Sequence, residues 1–313
     1  MRLFFRKSKA SDRLAVSLLG DEIAVAAVER GDGKPRATLC TLHPLKSNDR
    51  AAWDGAVKDL RLNKSQCMLL LKSGEYQLLQ VEAPNVPEAE CRQAVSWKLK
   101  DMLAYPVEQA TVDVISIPQD KHATGRGHFM YAVAARNETV KRYIESFESA
   151  GVELEVIDIP ELAQRNIAAL LEEEGRGVAL VSFNDSGGLL TFTAAGELYH
   201  ARSIEISAQQ LAVADPEQRN RNYERLVLEL QRSLDNFERQ FSYVAVTKLV
   251  IGPMVGQAAL EEYLRENLYL QVASLDLSEI MNLAAVEELE NPAFQARCFL
   301  ALGAALREEE AAS

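Results

Sequence analysis

From Arg13 the chain alternates apolar and polar positions. Leu14, Val16 and Leu18 are followed by a turn at Gly20-Asp21, then by Ile23 to Val28 and a second turn at Gly31-Asp32-Gly33. That pattern predicts an antiparallel meander. A helix over Ala51 to Leu60 separates it from an apolar strand at Cys67 to Leu71, and Ser73-Gly74 leads to a strand over Tyr76 to Val81. Asn85, Pro87, Glu88 and Glu90 mark the start of a helix that runs through Val95 and Leu99 to Leu103, and Pro106 ends it.

Two strands, Val112 to Ile117 and His128 to Ala135, flank the polar segment Gln119 to Gly127 and predict a hairpin. Asn137 is placed as the cap of a helix with the stripe Val140, Ile144 and Phe147, closed by Gly151 ahead of a strand at Leu154 to Ile159. Pro160 opens the next helix, with Leu162, Ile167, Leu170 and Leu171, and the polar run from Glu172 to Gly177 reads as a hinge.

Beyond the hinge the opening pattern returns. Val178 to Phe183, a turn over Asn184 to Gly188, Leu189 to Thr193, a turn at Ala195-Gly196 and Leu198 to Ile206 form a second meander. A long helix follows, with Tyr223, Leu226, Val227, Leu230, Leu234, Phe237 and Phe241 on one face. A strand through Leu249 to Ile251, a helix with Leu260, Tyr263 and Leu264, a short strand at Leu270 to Ala273 and a last helix from about Pro292 complete the chain. The order predicts an α/β protein of two like lobes, 1–174 and 175–313, with a cleft between them. A compact insertion over about 76–156 belongs to the first lobe, and the last helix, 292–307, is placed to pack back on that lobe.

Composition narrows the function. A length of 313 residues suits two lobes, and a net charge of -12 argues against a nucleic-acid partner, which requires clustered Lys and Arg. Cys40, Cys67, Cys91 and Cys298 are scattered without a CxxC pair, so neither zinc nor a disulfide framework is expected, and a reducing cytoplasm fits. No apolar run is long enough for a signal peptide or a membrane span. The start, with Leu3, Phe4 and Phe5 among Arg2, Arg6, Lys7 and Lys9, offers contact with anionic lipid, or else tucks onto its own lobe.

Four stretches then carry a resemblance: Phe4-Phe5-Arg6-Lys7 before the first meander, Gln93-Ala94-Val95-Ser96-Trp97 through Tyr105-Pro106, Glu229 to Asp235, and Phe299 to Arg307. In their order and spacing they resemble the PilM family of type IV pilus assembly proteins, and within it the MshI-type members of the mannose-sensitive haemagglutinin (MSHA) pilus. The resemblance covers nearly the whole chain. It implies an actin-like fold, a duplicated ribonuclease H-like unit with a small inserted α+β subdomain. It also implies a PilN-like bitopic membrane partner whose cytoplasmic N-terminus docks beside that subdomain, other platform subunits, and a place at the inner face of the inner membrane.

Active actin-like proteins hold ATP and Mg²⁺ between the lobes through an Asp in each first strand and through glycines that admit phosphate. Here the first Asp-Ile-Gly turn falls near Ser17-Leu18-Leu19-Gly20, with only the glycine kept. Counting back from Gly196 puts Ser182 at the second Asp and Asn184 at its Gly, and Gly252-Pro253 stands for the adenosine Gly-Gly, where proline fixes the backbone. The remnant of a nucleotide site is Gly20, Asn184, Gly187, Gly188, Gly252 and Gly256. Loss of one transition-state group costs roughly 10²–10³ in rate, so neither hydrolysis nor a required cofactor or metal is expected.

His43, His122, His128 and His200 form no metal or catalytic pattern, and the chain has no nucleophile elbow, P-loop or GxGxxG. The leading expectation is a binding scaffold. The alternatives are an actin-like ATPase or kinase working through substituted residues, and the cytoplasmic domain of a type II secretion L-type protein. A membrane span would follow the lobes in the latter, and none precedes Ser313.

Overall fold

The first alternating stretch folds as β1 (Arg13–Leu19), β2 (Glu22–Glu29) and β3 (Arg36–Pro44), paired antiparallel in sequence. Leu19 faces Glu22, which leaves Gly20-Asp21 as a two-residue turn, and Gly20 takes the φ of 55° that such a turn requires. The computed structural model is described over residues 13–45, 50–119 and 128–308. The basic start, His122 and the tail glutamates 309 and 310 lie outside the described residues.

Helix α1 (Arg50–Leu60) leads to β4 (Gln66–Leu70), β5 (Tyr76–Glu82), α2 (Glu88–Leu99), β6 (Ala110–Ser116), β7 (Phe129–Arg136), α3 (Asn137–Ser149), β8 (Glu153–Asp158) and α4 (Pro160–Ala169). The second half comprises β9 (Gly177–Asn184), β10 (Gly187–Ala194), β11 (Glu197–Ile204), the short α5 (Ala208–Leu211), α6 (Pro216–Gln240), β12 (Val246–Ile251), α7 (Gln257–Asn267), β13 (Gln271–Ser274) and α8 (Pro292–Ala305).

The strands make two five-stranded sheets, β3-β2-β1-β4-β8 and β11-β10-β9-β12-β13. Each has an antiparallel meander at one end and two parallel strands at the other, so one plan occurs twice. The parallel strands are fed by helices, as crossover connections demand. In the second lobe α6 buries Tyr223, Leu226, Leu230, Leu234 and Phe237, and Phe237 stacks on Phe192 of β10 with ring centroids 4.4 Å apart. Asp215 caps that helix by accepting the Glu217 amide at 3.1 Å.

The insertion is smaller than expected. A separate three-stranded sheet, β5-β7-β6, carries α2 and closes at Arg136, whereas β8 pairs in parallel with β4 in the main sheet. Helix α3 returns with it, because Tyr143 and Phe147 pack into the first-lobe core, where Phe147 meets Trp53 of α1 at 4.8 Å between ring centroids. The buried stripe of α3 is Thr139, Tyr143 and Phe147, while Ile144 is 39% exposed. Asn137 does not cap α3 either. Its side chain accepts from the Thr111 hydroxyl (2.8 Å) and donates to the Glu108 carbonyl (3.0 Å), tying the helix start to β6. Helix α2 stops at Leu99, four residues early.

Helices α4 and α8 join the lobes. A Cβ on Gly303 would collide with the Ala163 carbonyl of α4, so the helices cross at a separation only glycine permits, and Asn166 donates to the Gly303 carbonyl at 2.9 Å. Around the crossing one apolar cluster takes Ala24 and Ala26 from β2, Leu180 from β9, Val250 from β12 and Leu302 from α8. Arg307 holds the buried Asp158 at 2.7 Å. The inserted sheet also reaches the second lobe: Ala201 donates its amide to the Tyr131 hydroxyl at 3.3 Å, and Ile117 sits in the second-lobe core.

Gly303→Val forces these helices apart and is expected to destabilise the protein by about 1–3 kcal/mol, the usual cost of overpacking. Urea unfolding of the two proteins checks this, and an unchanged midpoint would contradict the crossing as described.

Candidate functional site

The positions expected to face a nucleotide fall in three places. Gly20 is in the β1–β2 turn, Asn184, Gly187 and Gly188 are in the β9–β10 turn, and Gly252 and Gly256 lie between β12 and α7. The structure brings two of these regions together, because Gly252 donates its amide to the Val181 carbonyl (2.7 Å) and a Cβ on it would stand 3.1 Å from Ser182. Gly20 and Gly256 each have open space where a Cβ would go.

Each position has a structural explanation. The Asn184 carboxamide accepts from the amides of Ser186 (2.8 Å) and Gly187 (3.1 Å), which closes the hairpin as an Asx turn and occupies those N–H groups. At Gly187 a Cβ would stand 2.7 Å from the Ile204 carbonyl, and at Gly188 it would stand 2.7 Å from the Phe183 ring. The Gly252 carbonyl accepts from Gln257 at 3.1 Å, and Gly256 precedes α7 with a φ of 79°.

Of the stretches that the resemblance sets in place of magnesium carboxylates, Ser17 and Ser182 have these surroundings. Ser17 is buried in β1, its backbone between Ala24 and Leu70. Ser182 donates its hydroxyl to Gln164 Oε1 at 2.5 Å. Gln164, on α4 and fully buried, donates in turn to the Leu180 carbonyl (2.8 Å), the Leu189 carbonyl (3.0 Å) and the Thr191 hydroxyl (3.0 Å). Two carbonyl acceptors around Nε2 fix which way the amide points. Magnesium is held by carboxylates and phosphate oxygens. Two hydroxyls and a committed amide do not match that donor set.

Glu161, which carries no sequence motif, is, with Asp158, one of two buried acids among the described residues. It lies in the first turn of α4, 6% exposed, and accepts from the Tyr76 hydroxyl at 2.5 Å. Burial pushes its carboxyl above the ordinary range, and burial also pushes the Tyr76 phenol up. His200, on β11, is held below its usual value by burial and then by Arg202. In the sequence Glu161 is an ordinary first-turn glutamate after a proline. Its burial depends on residues distant in the chain, among them Tyr76 of β5.

Two lobes of one strand order, joined by α4 and α8, define an actin-like α/β protein. No protein-family model matches the chain, and no curated protein matches it. Among solved structures it is similar to the PilM-PilN type IV pilus biogenesis complex at 19% identity and a TM-score of 0.72, covering 94% of this chain and 98% of that one. It is also similar to a Bacteroides thetaiotaomicron protein of actin-like ATPase fold and unknown function, at 11% identity, TM-score 0.53, covering 93% of this chain and 100% of that one. A third likeness is to the cytoplasmic domain of EpsL, an inner membrane component of the Vibrio cholerae type II secretion system, at 13% identity, TM-score 0.49, covering 95% and 96%.

Ser182→Ala leaves the buried Gln164 oxygen without its donor. The expected cost is about 1–3 kcal/mol of stability, read as a lower urea midpoint at unchanged m-value. A neutral result would mean that this hydrogen bond contributes nothing.

Proposed function

We propose that the chain is a cytoplasmic scaffold of a type IV, MSHA-like pilus assembly platform. In this reading it binds the cytoplasmic N-terminus of a PilN-like inner-membrane protein, sits at the inner face of that membrane, and has lost nucleotide hydrolysis. The observation that carries the reading is the likeness to the PilM-PilN complex over 94% of the chain, a share too large to leave out the inserted sheet. The Ser182–Gln164 bond and the self-satisfied β9–β10 turn support the loss of hydrolysis, since a hydroxyl stands where a carboxylate would be wanted and the turn amides are already taken by Asn184. Among the described residues no helix is long and apolar enough to cross a membrane.

Two outcomes are expected. The purified chain binds, saturably, the cytoplasmic N-terminal peptide of a PilN-like protein encoded beside it, as read by fluorescence anisotropy, and a scrambled peptide does not bind. Calorimetric titration with Mg-ATP gives no saturable heat. Failure of the peptide to bind would refute the scaffold reading, and saturable heat followed by phosphate release would favour a working actin-like ATPase.

A further inference from the structure

Where the first lobe, the inserted sheet and the second lobe meet, a cavity of about 250 Å³ opens beside the start of α4. Its walls include Ser73 from the loop after β4, Tyr76 and Leu78 of β5, Glu161 of α4, and Arg202 and Ser203 of β11. That volume is below the roughly 300–1,000 Å³ of pockets for drug-sized ligands. It suits a single head group.

The acid in this cavity lacks a paired cation among the described residues. Asp158, three residues before Glu161 and equally buried, is neutralised by Arg307 at 2.7 Å. Among the described residues Glu161 has no such cation; its side-chain partner is the neutral Tyr76 hydroxyl. Arg202 lines the same cavity, but its guanidinium is held by Glu229 and Ser233 of α6. The wall therefore combines one buried acid, the hydroxyls of two serines and a tyrosine, and an arginine already paired elsewhere.

A buried carboxyl without a counter-charge is costly as the anion and is stabilised by a cation brought to it. Guanidinium offers up to five donors in a flat fork, which suits a carboxylate flanked by hydroxyl acceptors. We propose that this cavity is a binding site for a guanidinium or ammonium head group, with Glu161 as its counter-ion. The raised proton affinity of Glu161 agrees with such a site, since an arriving cation would hold the carboxyl ionised. The head group can come from a free small amine or from an arginine or lysine side chain of a protein. The proposal does not rest on the pilus reading.

The test is an NMR titration of the full chain, following the amide signals of Gly74 and Glu161. Agmatine supplies the free head group; the capped tripeptide Gly-Arg-Gly supplies the side chain, with Gly-citrulline-Gly as its neutral counterpart. Saturable shifts with agmatine or the arginine peptide, absent with citrulline and weakened at least tenfold in Glu161→Gln, are expected. Agmatine alone would identify a small-molecule site, and the peptide alone a protein side chain. Tyr76→Phe keeps the carboxylate and is expected to bind, which guards against a folding defect in Glu161→Gln. No saturable shift with either probe, or equal binding by citrulline or by Glu161→Gln, would overturn the proposal.

Discussion

The arrangement of the molecule depends on how closely α4 and α8 approach. Gly303 allows the α8 backbone against the Ala163 carbonyl, and Asn166 secures the crossing from the α4 side. The small residues Ala24 and Ala26 of β2, in the same cluster as Leu302, let the first sheet close onto α8 as well. Small residues at a helix contact exchange side-chain volume for proximity, and packing at that density transmits strain instead of absorbing it. The lobes are thereby held through one shared core.

Helix α4 also faces the second sheet through Gln164, whose amide joins Leu180 and Ser182 of β9 to Leu189 and Thr191 of β10. Strand β9 contributes the Ser182 hydroxyl to this interlobe network. A buried amide with every donor and acceptor used specifies one arrangement, and opening it exposes several unpaired groups together. The same residues therefore bind the lobes. A frame so tied keeps its lobes in one arrangement.

Much of the fold was legible in the sequence because it rests on local signals. Period-two alternation and the turns at Gly20-Asp21 and Ala195-Gly196 marked both meanders, and the spacing in α6 marked its buried face. Legibility failed where tertiary contact outweighed local pattern. Ile144 continues an apolar stripe, yet packing on Trp53 selects Tyr143 and Phe147. Asn137 has the chemistry of a cap, yet its partners are Thr111 and Glu108 of a neighbouring segment. The insertion was drawn too long because β8 reads like its neighbours, and only pairing with β4 assigns it to the main sheet. At the site, nothing in the sequence announced the hydrogen bonds of Gln164 or the burial of Glu161, since both depend on strands distant in the chain.

Interlobe distance tests the account most directly. Spin labels on Lys58→Cys in α1 and Glu262→Cys in α7, with Cys91 replaced by serine, report the separation of the lobes by pulsed electron resonance. The account predicts one narrow distance distribution that millimolar Mg-ATP leaves unchanged. A broad or two-peaked distribution that Mg-ATP shifts would contradict it, for the lobes would then hinge around a nucleotide.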